Sequence, residues 1–383
     1  MNKYDIAIVG GGMVGAVLAV GFAKQGRRTA LIEEHQPSAF SCEQAMDIRV
    51  SAISQASVDL LDSLGAWQSI QAMRVCPYRR LETWEHPQCR TKFSAAELGL
   101  EQLGYIVENR VVQLGLWQQF DHWEFLDLLC PDSLARLEFG EQDNTLHLSS
   151  GEQIQASWVI GADGAHSRVR EQAKIGLTAW DYRHHCMLIH VETELAQQDI
   201  TWQQFTPQGP RSFLPLPGQQ GSLVWYDSPA RIRQLMAMSA AQLEQQVHLA
   251  FPAELGKVKV VQKGAFPLTR RHAQQYVANR CILVGDAAHT INPLAGQGVN
   301  LGFKDVACLL DITDQAELDE ATLKQYMLRR YPDNLLMQTG MDVFYKGFSN
   351  TITPLQLARN AALKLAQHSG PIKRQVLKYA LGL

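Results

Sequence analysis

The sequence predicts an α/β (α+β) fold in which a body of parallel strands and helices carries an inserted antiparallel β-sheet and ends in C-terminal helices. Three observations predict it. Near the N-terminus an apolar run, Asp5 to Val9, breaks at Gly10-Gly11-Gly12 and is followed by a helical pattern from Val14 to Lys24 and a second apolar run, Thr29 to Ile32. That is the strand–turn–helix–strand order of a βαβ unit. Two later apolar runs also stop at glycine turns, Gln153 to Ile160 before Gly161-Ala162-Asp163-Gly164 and Cys281 to Val284 before Gly285-Asp286. Between them lie runs rich in aromatic and β-branched residues, separated by Pro-Gly turns, as suits an antiparallel sheet.

At 383 residues the chain is long for a single core. The expected division is a discontinuous body (1–75, 102–178 and 275–340), an inserted sheet region (76–101 and 179–274) and a helical tail (341–383). With a net charge of −3 the chain has no basic excess to suggest nucleic acid as a partner. Seven cysteines, an odd number without a Cys-x-x-Cys pair, argue against a disulfide framework or a zinc cluster and for a reducing cytoplasm. The chain enters its first strand without a signal-peptide pattern, and no apolar window is long enough to span a bilayer.

The first turn matches the dinucleotide fingerprint. Gly10 makes the turn, Gly12 allows close approach of a pyrophosphate, and Gly15 allows helix–sheet packing, with Val14 in the same turn. Glu33, eighteen residues after Gly15, is placed for the hydroxyls of an adenosine ribose. Arg49 precedes a helix expected near Ser54 to Gly65. From Cys76 to Gly104 the pattern becomes strand-like, with a turn at His86-Pro87. Val111 to Leu129 reads as helical through Val112, Leu116, Phe120 and Leu126, with Gln113 near its start. Leu134 to Phe139, Leu146 to Ser149 and Gln153 to Ile160 read as strands, and Ser150-Gly151 as a hairpin turn.

In the inserted region Met187 to Val191, Trp202 to Phe205, Ser212 to Leu216 and Ser222 to Trp225 are the expected strands. Trp202, Phe205, Phe213, Trp225 and Tyr226 are candidates for lining a pocket, although strand aromatics more often pack a core. Arg231 and Arg233 fit a solvated helix face. The third turn leads through Pro293 to Gly296, Gln297, Gly298 and Asn300 at the start of another helical pattern. Such a helix N-terminus favours a group that becomes anionic. A carboxylate at a strand end suits the hydroxyls of a sugar-like chain, and a flavin offers both chemistries.

The run from Gly285-Asp286 through Pro293 to Gly296-Gln297-Gly298-Val299-Asn300 resembles the GD…P…GQGxN motif of the flavin-dependent aromatic hydroxylases, and Gly161-Ala162-Asp163-Gly164 with Ser167 and Arg168 resembles their second flavin motif. The resemblance implies a Rossmann-like FAD-binding body. In it Asp286 would hold the ribityl chain and Gly296 to Gly298 would lie beside the isoalloxazine. Arg49 and Gln113 would reach the flavin, and Asp163 with Gly164 would serve the pyrophosphate. With one fingerprint and no second nucleotide domain, the implied cofactors are FAD, NAD(P)H or another electron donor docking transiently, and molecular oxygen. No protein nucleophile or base is expected, because the cofactor carries the hard chemistry.

Outside these motifs, MRVCPYRRLETWE, TWQQFTP, VWYDSPARIRQL, GAFPLTRRHA and KRQVLKYALGL resemble the bacterial ubiquinone-biosynthesis hydroxylases, and among them the demethoxyubiquinol-hydroxylating members. This implies hydroxylation of the ring of a polyprenylated methoxy-methyl-benzoquinol. Two other readings stay open. One is a hydroxylase of another ubiquinone precursor or a small soluble phenol, for which Arg211 is the well-placed anchor; the other is a non-catalytic prenyl-binding escort. No acidic residue follows Asp342, and basic and apolar residues alternate to the end. The tail therefore suits a peripheral contact at the inner face of a membrane, a helical cap on the body, or association with other ubiquinone-biosynthesis proteins.

Overall fold

A computed structural model of the chain describes residues 1–291, 298–314 and 316–382. Ile6 to Val9, Thr29 to Ile32 and Trp158 to Gly161 are buried at every position, which leaves no side for water and makes these strands central. The first sheet runs in the order Val277–Ala278, Cys281–Leu283, Gln153–Gly161, Asn2–Val9, Thr29–Ile32, Leu126–Leu129. Its last five strands pair in parallel. Asn144–Leu148 and Leu134–Glu138 extend it antiparallel. The register sets Val9 beside both Ile32 and Gly161, and Gly161 beside Leu283, so the carboxyl ends of four strands align. Helices Met13–Lys24 and Gly298–Thr313 pack on this sheet through Val17, Leu18, Phe22, Phe303, Val306 and Leu309.

The edge strand Leu126–Leu129 corrects the helix expected from Val111 to Leu129. The helix is Asn109–Trp117, a short 3₁₀ turn follows at Phe120–His122, and the chain then pairs with Thr29–Ile32. A four-residue apolar run carries too little periodicity to separate strand from helix, and tertiary pairing decides.

The second sheet has the order His289–Thr290, Val258–Ala273, Leu177–Thr193, Gln220–Asp227, Arg211–Leu216, Ile200–Gln204, Arg80–Trp84, Thr91–Ser94. It is antiparallel except for one parallel seam between Ile200–Gln204 and Arg80–Trp84. The strand expected at Met187 to Val191 is far longer, and it has a partner, Val258–Ala273, that was not expected as a strand. Leu177–Thr193 and Val258–Ala273 pair over most of their length and run from the body to the far edge of the sheet. The segment Ala265 to Arg271 is part of the second of them. Side chains alternate across this sheet. One face packs Trp202, Phe213, Leu223 and Trp225 against helices Pro229–Ala237 and Ala240–Ala250, which closes a second core. The other face roofs the body. A small antiparallel sheet, Val50–Ser54, Gly104–Glu108 and Cys76–Tyr78, lies between the two.

Helix Glu320–Phe348 is continuous past residue 340 despite Pro332, and Thr353–His368 and Pro371–Leu381 follow. No helix among the described residues is long and apolar enough to cross a membrane.

Candidate functional site

Strand register brings the three glycine turns together. Gly10 N donates to Ile32 O at 2.8 Å, Ala162 N to Val9 O at 2.9 Å, and Val284 N to Gly161 O at 3.1 Å. Gly10 has φ +103°, and a Cβ there would sit 2.6 Å from Ala162 O. A Cβ on Gly15 would sit 1.9 Å from Gly10 O, so the first helix lies too close to its strand for any side chain. Gly12 differs: nothing lies within 4 Å of its Cβ position. Its bare face opens into a cleft of about 420 Å³ lined by Gly10, Gly12, Glu33, Asp163 and Arg168 among others. Val14 joins the first turn to the third, with a methyl 3.3 Å from the Cβ position of Gly285 and 2.7 Å from that of Gly302.

Glu33 leans over the loop. Its carboxylate accepts from Gly11 N at 2.5 Å and from His35 N at 3.0 Å, and keeps acceptor sites for a ribose hydroxyl. Gln113 stands in a different relation to the site than a surface glutamine would. Its amide donates to Gly11 O at 2.8 Å, and Trp117, one helical turn on, donates to the same oxygen at 2.9 Å. The sequence reading missed Trp117; its signal was the i, i+4 spacing from Gln113 on one helix face.

Asp163 accepts from Arg168 N at 2.7 Å and Val169 N at 3.2 Å through one oxygen, and its other oxygen is buried without a partner among the described residues. Burial raises this carboxyl, against the hydrogen bonds to Ser167, Val169 and Arg168. Gly164, at φ +76°, is open like Gly12. Arg170 ties the second turn to the third by donating to Ala165 O at 3.0 Å and Ala287 O at 2.8 Å.

Asp286 touches solvent at the end of its strand, but the protein crowded around it raises its carboxyl by desolvation, while His289, Arg49 and Arg271 act in the opposite direction. Arg49 is exposed and lies over the Phe266 ring of the roof sheet at 5.3 Å. Beneath the turn is a buried hub that the sequence reading also missed. Asp305, fully buried, accepts from Gly285 N at 3.1 Å, Arg330 Nε at 2.8 Å, Asn334 Nδ2 at 3.0 Å and the His289 ring. Desolvation pushes its carboxyl up, but His289, Arg330 and Asn334 outweigh that and hold it down at about 2. Asn300 clamps the start of the last body helix: it accepts from Ser54 N at 3.0 Å and Ser57 Oγ at 2.8 Å and donates to Ala52 O at 2.8 Å. Gly298 begins that helix. Pro293, Gly296 and Gln297 lie outside the described residues.

These features fit a flavin dinucleotide. Gly12 and Gly164 leave room for close approach of phosphate to backbone. The unpartnered Asp163 oxygen and the Asp286 carboxylate offer acceptors to hydroxyl groups. Among the described residues no cluster of His, Cys, Asp and Glu could hold a metal ion, and the seven cysteines are free thiols.

Two expectations about the roof are corrected. Arg211 is no anchor for a soluble acid or phenol, because it is buried, donates to Gly209 O and Tyr226 O, and pairs with Asp227. Trp202, Phe213 and Trp225 face the second core, away from the body, and Phe205 stacks on Phe348. Of the aromatic candidates Tyr226 alone shares a cluster with Cys186, Leu268 and Phe266 on the roofing face.

Comparison with known proteins agrees with this geometry. The FAD binding domain family profile matches residues 3–332. The chain is 54% identical to the 3-demethoxyubiquinol 3-hydroxylase of Escherichia coli (strain K12), over 99% of this chain and 98% of that one. It is 34% identical to the ubiquinone hydroxylase UbiL of Rhodospirillum rubrum, over 99% and 89%. The crystal structure of p-nitrophenol 4-monooxygenase PnpA from Pseudomonas putida DLL-E4 superposes with a TM-score of 0.82 at 17% identity, covering 100% of this chain and 99% of that one. At that identity the likeness shows the fold alone.

Proposed function

We propose, from the premise that this chain belongs to the FAD-binding-domain family of ubiquinone-biosynthesis hydroxylases, that it hydroxylates the ring of a polyprenylated methoxy-methyl-benzoquinol. It is an FAD-dependent monooxygenase. The observation that carries the substrate is the 54% identity with a demethoxyubiquinol hydroxylase across nearly the whole of both chains, roof and tail included. When bound, FAD supplies the electrons, received from a reduced donor such as NAD(P)H, and activates molecular oxygen.

The chain's own part is position and dryness. Gly10, Gly12 and Val14 with Gly164, in the loop that Asp163 fixes through Arg168 N and Val169 N, would seat the pyrophosphate, Glu33 the adenosine ribose, and Asp286 the ribityl chain. Gln113 and Trp117 hold the first loop, and Asp305 holds the third. Pro293 and Gly296 to Gly298 would border the reactive ring, whose reduced, anionic form the N-terminus of the helix from Gly298 favours. The mostly apolar roof excludes water from the reacting oxygen. The buried ion pair of Arg211 speaks against the soluble-phenol reading.

The same proposal extends to where the enzyme meets its substrate. Large apolar side chains left exposed gather near the C-terminus, among them Leu328, Leu336, Val343, Leu357, Leu365 and Ile372. Of the basic residues after Asp342, Arg359 and Lys373 are paired with Glu85 and Glu97. Lys346, Lys364, Arg374 and Lys378 are exposed on a segment without acid. Exposed apolar side chains and exposed basic residues on the same C-terminal stretch suit an anionic lipid surface, where a polyprenyl quinol resides.

The test is a mass-spectrometric profile of isoprenoid quinones from cells lacking this chain. The demethoxy precursor should accumulate and should clear when the chain is restored; an unchanged profile removes the substrate. Flotation with anionic against zwitterionic vesicles tests the membrane contact, which should be lost in the K346E/K364E/R374E/K378E variant. Equal flotation of both proteins, or binding only to a pathway protein, would overturn it.

A further inference from the structure

The last two helices are held to the molecule very unequally. Thr353–His368 is stapled to the roof hairpin of Arg80–Trp84 and Thr91–Ser94. Arg359 pairs with the buried Glu85, Asn360 Oδ1 accepts from His86 N at 3.1 Å, Thr91 donates to Leu363 O at 2.9 Å, and Lys92 N donates to Gln367 Oε1 at 2.7 Å. Gly370 then turns the chain at φ +53°, with nothing within 4 Å of its Cβ position. Beyond it Pro371–Leu381 is tied near its two ends, by Lys373 to Glu97 at 2.9 Å and by the Tyr379 hydroxyl to Asp333 at 3.2 Å.

That last helix is apolar on two sides. Leu377 and Leu381, 3% and 4% exposed, sit in one cluster with Cys76 and Tyr78 of the small sheet and Leu216 of the roof. Val50, Ala52 and Leu214, which pack against this cluster, are only partly buried. The seam between roof and small sheet begins on the flavin side, because Val50 follows Arg49, and Ala52 O accepts from Asn300 at 2.8 Å at the start of the helix expected beside the flavin ring. Ile372 and Val376 instead face solvent, beside exposed Arg374 and Lys378. A helix that only caps the body gains nothing from this second apolar side, whereas a lipid surface takes it.

We infer that Pro371–Leu381 is a hinged gate on the seam between roof and small sheet, and that the hydrocarbon tail of the quinol leaves the site through this seam when Leu377 and Leu381 move out of it. The inference rests on the proposed function. A ring held beside the flavin carries a tail that belongs in lipid, so the tail needs an apolar way out. Thr353–His368 is the fixed post, Gly370 the hinge, and the side of the helix already exposed is the one that meets lipid. The tail takes the place of the two leucines, so apolar contact in the seam is exchanged and not lost.

The test locks the gate. The Cβ position of Gly382 lies 3.0 Å from Ala56 Cβ on the body, so an A56C/G382C pair reaches disulfide geometry after a small shift. The FAD-loaded full chain carrying it is assayed oxidised and reduced, beside the parent chain treated alike, on long-tailed demethoxyubiquinol and on the same benzoquinol without a tail, both in one nonionic detergent. Oxidation should lower kcat/KM for the long-tailed quinol roughly tenfold or more, because the open state is withdrawn, and should leave the tail-less quinol within about twofold. Reduction should restore the loss. Retention of both activities by the disulfide-bonded chain, or loss of both, overturns the inference and leaves the function standing. The L377A/L381A variant needs no cross-link: with FAD content unchanged, its KM for the long-tailed quinol should fall roughly two- to fivefold as the gate opens more readily. An unchanged KM, or a change shared by the tail-less quinol, overturns the inference as well. A wild-type protein that hydroxylates neither quinol removes the functional reading and the inference together.

Discussion

The body and the roof of this molecule meet at one site but build their halves of it differently. In the body, polar groups are spent on holding loops: Gly11 O takes two side-chain donors, and Asp305 takes three side chains and the backbone N–H of Gly285. The roofing face is mostly apolar around Cys186, Leu188, Val224, Phe266 and Leu268. The difference follows from what each half must recognise. A dinucleotide is polar and always the same, so rigid backbone and fixed carboxylates can match it. A ring with a hydrocarbon tail is recognised by shape and by few donors.

The sharpest way to break this comparison is to fill the cradle. Gly12→Val should abolish FAD retention while leaving the fold intact, because its side chain meets no protein atom within 4 Å at Cβ and must occupy the space of the pyrophosphate. Gly15→Ala should do the reverse in origin, losing stability first, since its Cβ would lie 1.9 Å from Gly10 O. Flavin absorbance and thermal unfolding on the two purified variants separate the cases. A yellow Gly12→Val protein would show that the open face belongs to no ligand.

Next in size is the hub beneath the third turn. Asp305→Ala leaves Arg330 and His289 buried without their carboxylate, which should cost about 3–5 kcal/mol in chemical denaturation. Loosening Gly285 should also weaken FAD binding. A change below about 1 kcal/mol would mean that the arginine finds Asp333 sufficient.

These two predictions differ in how readable their residues were. Gly10, Gly12, Asp163 and Asp286 stand in the turns after strands, and Gly15 in the helix that follows the first, where their sequence context put them, because a glycine turn after an apolar run is a local pattern. Asp305, Trp117 and the edge strand Leu126–Leu129 were not readable in that way. An aspartate inside an apolar helix looks like an exposed polar position until Arg330, twenty-five residues later, is folded against it. The roof was legible as a sheet but not in its facing. Alternation tells that Trp225 and Tyr226 point to opposite sides, and only the two helices packed on Trp225 tell which side is which. Arg211 was misjudged for the same reason: its partner Asp227 becomes a neighbour only through strand pairing.

The smallest expected effect concerns the seam between roof and body. His272, on the long strand Val258–Ala273, is bonded through Nδ1 to Gln338 at 2.8 Å, and its Nε2 is buried without a partner among the described residues. Desolvation lowers it from 6.5 to about 4, although Gln338 raises it. Burial likewise depresses His184 and His190 on the neighbouring strand. A histidine whose folded value is depressed takes up its proton more readily in the unfolded chain. Its stabilisation is complete above about 6.5 and drains away as pH falls toward 4. Denaturation midpoints should therefore decline steadily between pH 6.5 and 4, before Asp305 begins to titrate lower down. His272→Gln should flatten part of that decline, because a glutamine there adds no proton. Midpoints that hold constant or rise across this window would show that water reaches the seam, and that roof and body are less tightly sealed than the buried imidazole implies.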